Sequence, residues 1–223
     1  EPGELAAIHD EPLPDGQRDT ALTVHAEAIR ATLRAEHGTK SDDVVETVFR
    51  ALFVNDGAGH VVRNPTAMAK LEAIAGPDRD LVRPVVDGYA RDPNTLLMVG
   101  PKDKAGDEIV DISHEALLRN WRRMTEDEGG GSKGWIQQES DDALAWRTLA
   151  HTAETEGALL DAATLIRKRP LYAKFAAAPE RVRRYLLRGK KRDSVEEETE
   201  WEAVAQLIRR SEQAVVDQEA AVA

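Results

Sequence analysis

Apolar residues recur along this chain mostly at helical spacing, and the exceptions are two short runs with the alternation of strands. Leu22, Ile29 and Leu33 share one face between Ala21 and Glu36, and Gly38 follows, which predicts a first helix. Ser41 is placed to cap the next, with Asp42 and Asp43 in its first turn and Val45, Val48, Phe49 and Leu52 as its stripe. Asn55-Asp56-Gly57 ends it. A further helix is expected to open with Asn64 as cap and Pro65 at its first position, to present Met68, Leu71 and Ala75, and to end at Gly76-Pro77. Another covers 78–90 with Leu81, Val85 and Tyr89 on one side, before Asp92-Pro93-Asn94 turns the chain. Residues 96–99 and 108–112 read as two strands joined by a charged turn. Three short helices followed by a two-stranded ribbon is the element order of a winged helix.

The second strand runs directly into a helix through Asp111–Trp121, DISHEALLRNW. Ser113 is expected to cap a helix over 114–124, with Glu115 in its first turn and Leu117 and Trp121 stacked at i,i+4. Leu118 joins them as a core residue, while Arg119 is exposed and open to an interdomain ion pair. His114 falls at the helix start, where unpaired backbone N–H groups also point outward. A side chain there is held firmly and can still reach a neighbouring domain or an anion.

Residues 126–134, with three consecutive glycines, read as a flexible loop. Trp135 then opens a long helix carrying Trp146, Leu149 and Ala153. Further helical segments run from Ala158 to a break at Pro170, from Leu171 to Ala177, and from Pro179 through a basic stretch to Gly189. Ser194 and Glu197 form a capping box for a last helix with Trp201, Leu207 and Ile208. The chain therefore divides into a lead-in over 1–20, a winged-helix-like domain with its preceding helix over 21–125, the loop over 126–134, and a helical domain over 135–223. The fold class is mainly α.

Composition narrows the function. The net charge is −11, which disfavours a general nucleic-acid or acidic-lipid surface. There is no cysteine, so thiol catalysis, disulfides and cysteine-ligated zinc are excluded. No apolar run is long enough to span a bilayer and no signal peptide is visible, so a cytoplasmic location is expected. The chain begins with Glu and not Met, which is compatible either with a piece of a longer protein or with a missing start.

Candidate chemistry is sparse. His114-Glu115 begins like the zinc signature HExxH, but the fifth residue is Leu118, so no metal site is expected. Gly129–Gly134 lacks the order of a phosphate loop and follows no strand. No Gly-x-Ser-x-Gly elbow is present, so no catalytic residue is assigned and the chain is not expected to be an enzyme. On the helix that would read DNA, Arg79, Arg83 and Arg91 face Asp78, Asp80, Asp87 and Asp92, and Lys102 and Lys104 of the wing are offset by Asp103 and Asp107. These acids repel phosphate. One basic stretch holds Arg181, Arg183, Arg184, Arg188, Lys190 and Lys191, followed by Glu196, Glu197, Glu198 and Glu200. It is a candidate surface for a partner, or one half of a charge pairing between helices.

Asp111–Trp121 resembles the HEALIRxW motif that follows the nucleotide-binding core in bacterial signal-transduction NTPases of the novel STAND class, and a looser similarity extends from Leu22 to Gly157. The family has a Trp near the end of its next helix, where this chain has Ala153, Glu154 and Thr155. The resemblance implies a winged-helix and helical region that couples an upstream NTPase core to a downstream sensor or repeat domain. It also implies ATP or ADP with Mg for the whole protein but no cofactor in this part. In the wider class a histidine at such a junction approaches the bound nucleotide's phosphates, and the resemblance implies that His114 is its counterpart, with Ser113, Glu115, Leu117, Leu118, Arg119 and Trp121 as the surrounding interdomain or structural motif. Local bonding of His114 within its own domain is the competing reading. A stand-alone winged-helix regulator that binds DNA or a protein partner is the alternative for the chain.

Overall fold

Thr20 starts the first helix: its Oγ1 accepts the Thr23 backbone N–H at 3.2 Å, satisfying one of the donors that a helix start leaves unpaired. The computed structural model describes residues 20–55, 60–102, 104–125, 133–176, 179–183, 185 and 194–222, without the side chains of 55, 183, 194–199 and 222. It is mainly helical with small antiparallel sheets. Helix α1 (Ala21–His37) turns Ala26, Ile29 and Leu33 inward and ends at Gly38, whose φ of 81° suits glycine.

Helix α2 (Lys40–Ala51) begins earlier than expected. Ser41 is not its cap: it lies buried inside the first turn and donates its hydroxyl back to Gly38 O at 2.7 Å. Asp42 does sit at the favourable end, where it pairs with Arg30 at 3.1 Å and Arg34 at 3.3 Å from α1.

The next segment departs further from expectation. Strands β1 (Phe53–Asn55) and β2 (Val61–Arg63) form an antiparallel hairpin. Asn64 caps no helix; its Nδ2 donates to Ala51 O at 2.9 Å and ties off the end of α2. Pro65 stands before a short strand, β3 (Thr66–Ala67), and helix α3 (Met68–Ala75) starts only after it. The first turn of α3 takes its acceptor from across the fold, with Ala69 N–H bonded to Asp107 Oδ2 at 2.9 Å. A 3₁₀ segment over Gly76–Leu81, opened by Pro77 and kinked at Asp78, precedes helix α4 (Val82–Ala90). The single helix expected over 78–90 is thus two pieces.

Strands β4 (Leu97–Lys102) and β5 (Glu108–Ile112) pair in register Leu97 with Ile112 and Val99 with Val110. β3 adds to the other side of β5, pairing Thr66 with Val110, so the expected two-stranded ribbon is a three-stranded sheet in the order β3-β5-β4.

After β5, α5 (Ala116–Asn120) and α6 (Arg122–Thr125) replace the continuous helix expected over 114–124. The break is Trp121, extended at ψ 117° and fully buried. Its indole stands edge-on to Phe49 at 4.8 Å and to Trp135 at 5.1 Å, with Tyr89 against Phe49 at 4.9 Å. This aromatic group sits in the first core, formed by α1 to α5 and the sheet.

Helix α7 (Trp135–Glu154) serves two cores. Trp135 enters the first, while Ala143, Trp146, Leu149 and Ala150 enter a second with Phe175, Val182, Tyr185 and Val204. α8 (Ala162–Ala176), α9 (Glu180–Arg183) and α10 (Ser194–Val222) complete that second unit. α8 passes through Pro170 instead of breaking there. Asp161 fastens its start, accepting Thr164 N–H at 2.8 Å, and Leu165 and Phe175 are buried on either side of the proline. Trp201 of α10 stacks between Trp146 at 5.3 Å and Tyr172 at 5.4 Å. The capping box at Ser194 and Glu197 lies outside the described side chains.

Candidate interdomain site

The junction after β5 is anchored on both sides of His114. Before it, Arg63 Nη1 donates to Asp111 Oδ2 at 2.8 Å and to Ile112 O at 2.9 Å, and Ser113 N–H bonds Leu96 O at 3.1 Å. After it, Leu117 N–H returns to His114 O at 2.9 Å, and Leu117 and Leu118 are buried. Ser113 makes no side-chain cap, because α5 begins three residues beyond it with Glu115 at the cap position. His114 itself is exposed, and among the described residues its side chain has no hydrogen-bond or ion-pair partner.

Glu115 and Arg119 are both exposed and pair with each other at 2.6 Å along the helix. Such an exposed i,i+4 pair contributes at most a few tenths of a kcal/mol, so it yields readily to a better partner. Trp121 belongs to the core and not to the surface. Its Nε1 donates to Glu27 Oε1 at 2.9 Å, and Arg123 Nε donates to the same oxygen at 2.7 Å. Partial burial works against the Glu27 charge, but the bonds from Arg123 and Trp121 outweigh it and hold the carboxyl below its usual range.

The basic stretch divides differently from its sequence reading. Arg181 is no open surface: it donates to Thr47 Oγ1 at 2.9 Å and Ile74 O at 3.1 Å, joining α9 to α2 and α3. Arg184, Arg188, Lys190 and Lys191 lie outside the described residues, as does the Arg183 side chain. Glu200, read with the acidic block, accepts the Trp146 indole N–H at 2.9 Å.

A second polar centre was not singled out from sequence. Arg50 is buried and reaches Glu46 at 2.8 Å, Glu139 at 2.7 Å and Asp142 at 2.6 Å, and Lys174 of α8 shares Asp142 at 2.6 Å. Burial opposes the Arg50 charge; Glu139 and its other neighbours more than offset it and raise the guanidinium above its usual range. The space left there is about 20 Å³, room for one water and no ligand. The sequence signal is weak: Arg50 lies within the apolar stripe of α2, but Glu139 and Asp142 lie 89 and 92 residues away.

None of the predicted site residues lines the groove of about 480 Å³ between α1 and α4. Among the described residues no group of three or more His, Asp or Glu could hold a metal ion, and no helix is long and apolar enough to cross a membrane.

Neither the curated proteins nor the solved structures provide a match to this chain. Residues 14–156, more than half of its length and including the whole His114 junction, match the family model Novel STAND NTPase 1. The chain belongs to the Novel STAND NTPase 1 family.

Proposed function

We propose that this chain is a non-catalytic regulatory module of a STAND-type NTPase. It couples a nucleotide-binding core to sensor or effector domains through interdomain contacts, and its α2, α3, α4 and sheet act as a winged helix. The single observation that carries this reading is His114, exposed and, among the described residues, without a side-chain partner, on a backbone anchored from both sides. In the closed state His114 faces the phosphates of nucleotide held by the core, and the Glu115–Arg119 pair exchanges partners with it. The two states differ in these contacts, which is what a nucleotide needs in order to shift the equilibrium between them.

The DNA-binding reading finds less support. Arg83 on α4 is engaged by Glu108 and Asp87, and Arg79 lies 3.7 Å from Asp80. The experiment is a calorimetric titration of the chain against the separately expressed nucleotide-binding core, loaded with ADP or with a non-hydrolysable ATP analogue. Tighter binding to the ADP form is expected. Equal affinity for both would remove the coupling role.

A further inference from the structure

Helix α5 has five residues, about 7.5 Å of helix, far below the length at which a helix holds itself in water. Its direction, and with it the placement of His114, is set by the burial of Leu117 and Leu118 and by what grips its two ends. The chain entering the N-terminal end is held at Asp111, Ile112 and Ser113, but no side-chain bond caps the helix itself. The C-terminal end leaves Asn120 O without an intrahelical donor, and α1 supplies two. Thr23 Oγ1 donates to Asn120 O at 2.8 Å and Thr20 Oγ1 at 3.0 Å, while Arg122 N–H donates to Thr23 Oγ1 at 3.2 Å. One turn further along α1, Glu27 receives Trp121 Nε1 and Arg123 Nε. Four consecutive residues, Asn120 to Arg123, are therefore bonded to one face of α1 from Thr20 to Glu27.

We propose that Thr23 and Glu27 are positioning residues for the His114 site: α1 holds the far end of α5 and thereby fixes where His114 is presented. This rests on the reading of His114 as the interdomain contact. A partner that displaces α1 also displaces His114.

The test uses Thr23→Val, close in shape but without the hydroxyl, Thr23→Ser, which restores it, and Glu27→Gln. Native-state amide exchange is followed at Leu117 and Leu118, whose N–H groups bond His114 O and Glu115 O in the first turn of α5, away from the contacts with α1, with Leu149 of α7 as the reference for global opening. Thr23→Val and Glu27→Gln are expected to speed exchange at Leu117 and Leu118 about tenfold, the equivalent of roughly one hydrogen bond, with Leu149 unchanged and Thr23→Ser like wild type. An effect confined to Trp121 and Arg122, or an equal effect at Leu149, would overturn the positioning role. Thr23→Val is also titrated against the ADP-loaded core, where about fivefold weaker binding is expected. If wild type discriminates between nucleotides and Thr23→Val binds equally well, the positioning claim fails alone. If wild type does not discriminate, the coupling reading fails, and the exchange data still decide whether α1 sets the junction.

Discussion

Arg50 of α2 and Glu139 of α7 meet at 2.7 Å, with the arginine side chain only 5% exposed and the carboxylate 11%. The pair joins the first core to the helix shared with the second. Removing one partner leaves a buried charge uncompensated, which costs about 3–5 kcal/mol. Arg50→Ala is expected to lower the unfolding free energy by about that amount in urea titrations. A change under about 1 kcal/mol would show that water reaches the carboxylates and that the joint contributes little.

Arg181 adds a second tie between the units, through Thr47 Oγ1 and Ile74 O. Hydrogen bonds from a charged donor are worth about 1.5–3 kcal/mol. Arg181→Ala should therefore destabilise by up to a few kcal/mol and expose α9 to faster amide exchange, while α5 keeps its protection. Uniform loss of protection across both units would contradict a local tie.

Trp121→Phe keeps a ring against Phe49 and Trp135 but loses the donor to Glu27. It should cost about 1–2 kcal/mol, against about 3–5 for Trp121→Ala. Equal losses in thermal unfolding would mean that the indole bond, and not the packing, carries the contribution.

Glu27 sets an acid limit on the fold. Its folded-state pKa lies below the usual carboxylate value. It therefore adds stability above the unfolded-state pKa of about 4.3, and this is lost as pH falls through the lower folded value. Stability measured across pH should include a decline below about pH 4 that is shallower in Glu27→Gln. Identical pH profiles for the two proteins would place the acid sensitivity elsewhere.

Much of this arrangement was readable in the sequence, and the failures have physical causes. The i,i+3 and i,i+4 stripes of Ile29 and Leu33 and of Val45, Val48 and Phe49 placed the core because burial follows helical period, whereas Trp121 is buried although it is extended and breaks the helix expected to stack it on Leu117. The hairpin of Phe53 and Val61 escaped because each strand has three residues, too few for alternation to stand out beside Asn55-Asp56-Gly57. Asn64-Pro65 has the chemistry of a helix start, yet Asn64 spends its amide on Ala51 O, a partner thirteen residues back that no local pattern reveals. Pro170 was expected to break a helix that packing on both of its sides sustains. At the candidate site, the exposure of His114 and the burial of Leu117 and Leu118 followed from the pattern. The grip of Thr23 on Asn120 did not, because it links residues 97 apart.

The most direct test of the regulatory role is the affinity of His114→Ala for the ADP-loaded core, set beside that of the wild-type chain. Loss of one charge-assisted contact of about 1.5–3 kcal/mol corresponds to roughly 10- to 150-fold weaker binding, with binding to the ATP-analogue form nearly unchanged. Wild-type affinity of His114→Ala in both nucleotide states would contradict the account, leaving His114 an exposed residue of the junction with no part in coupling.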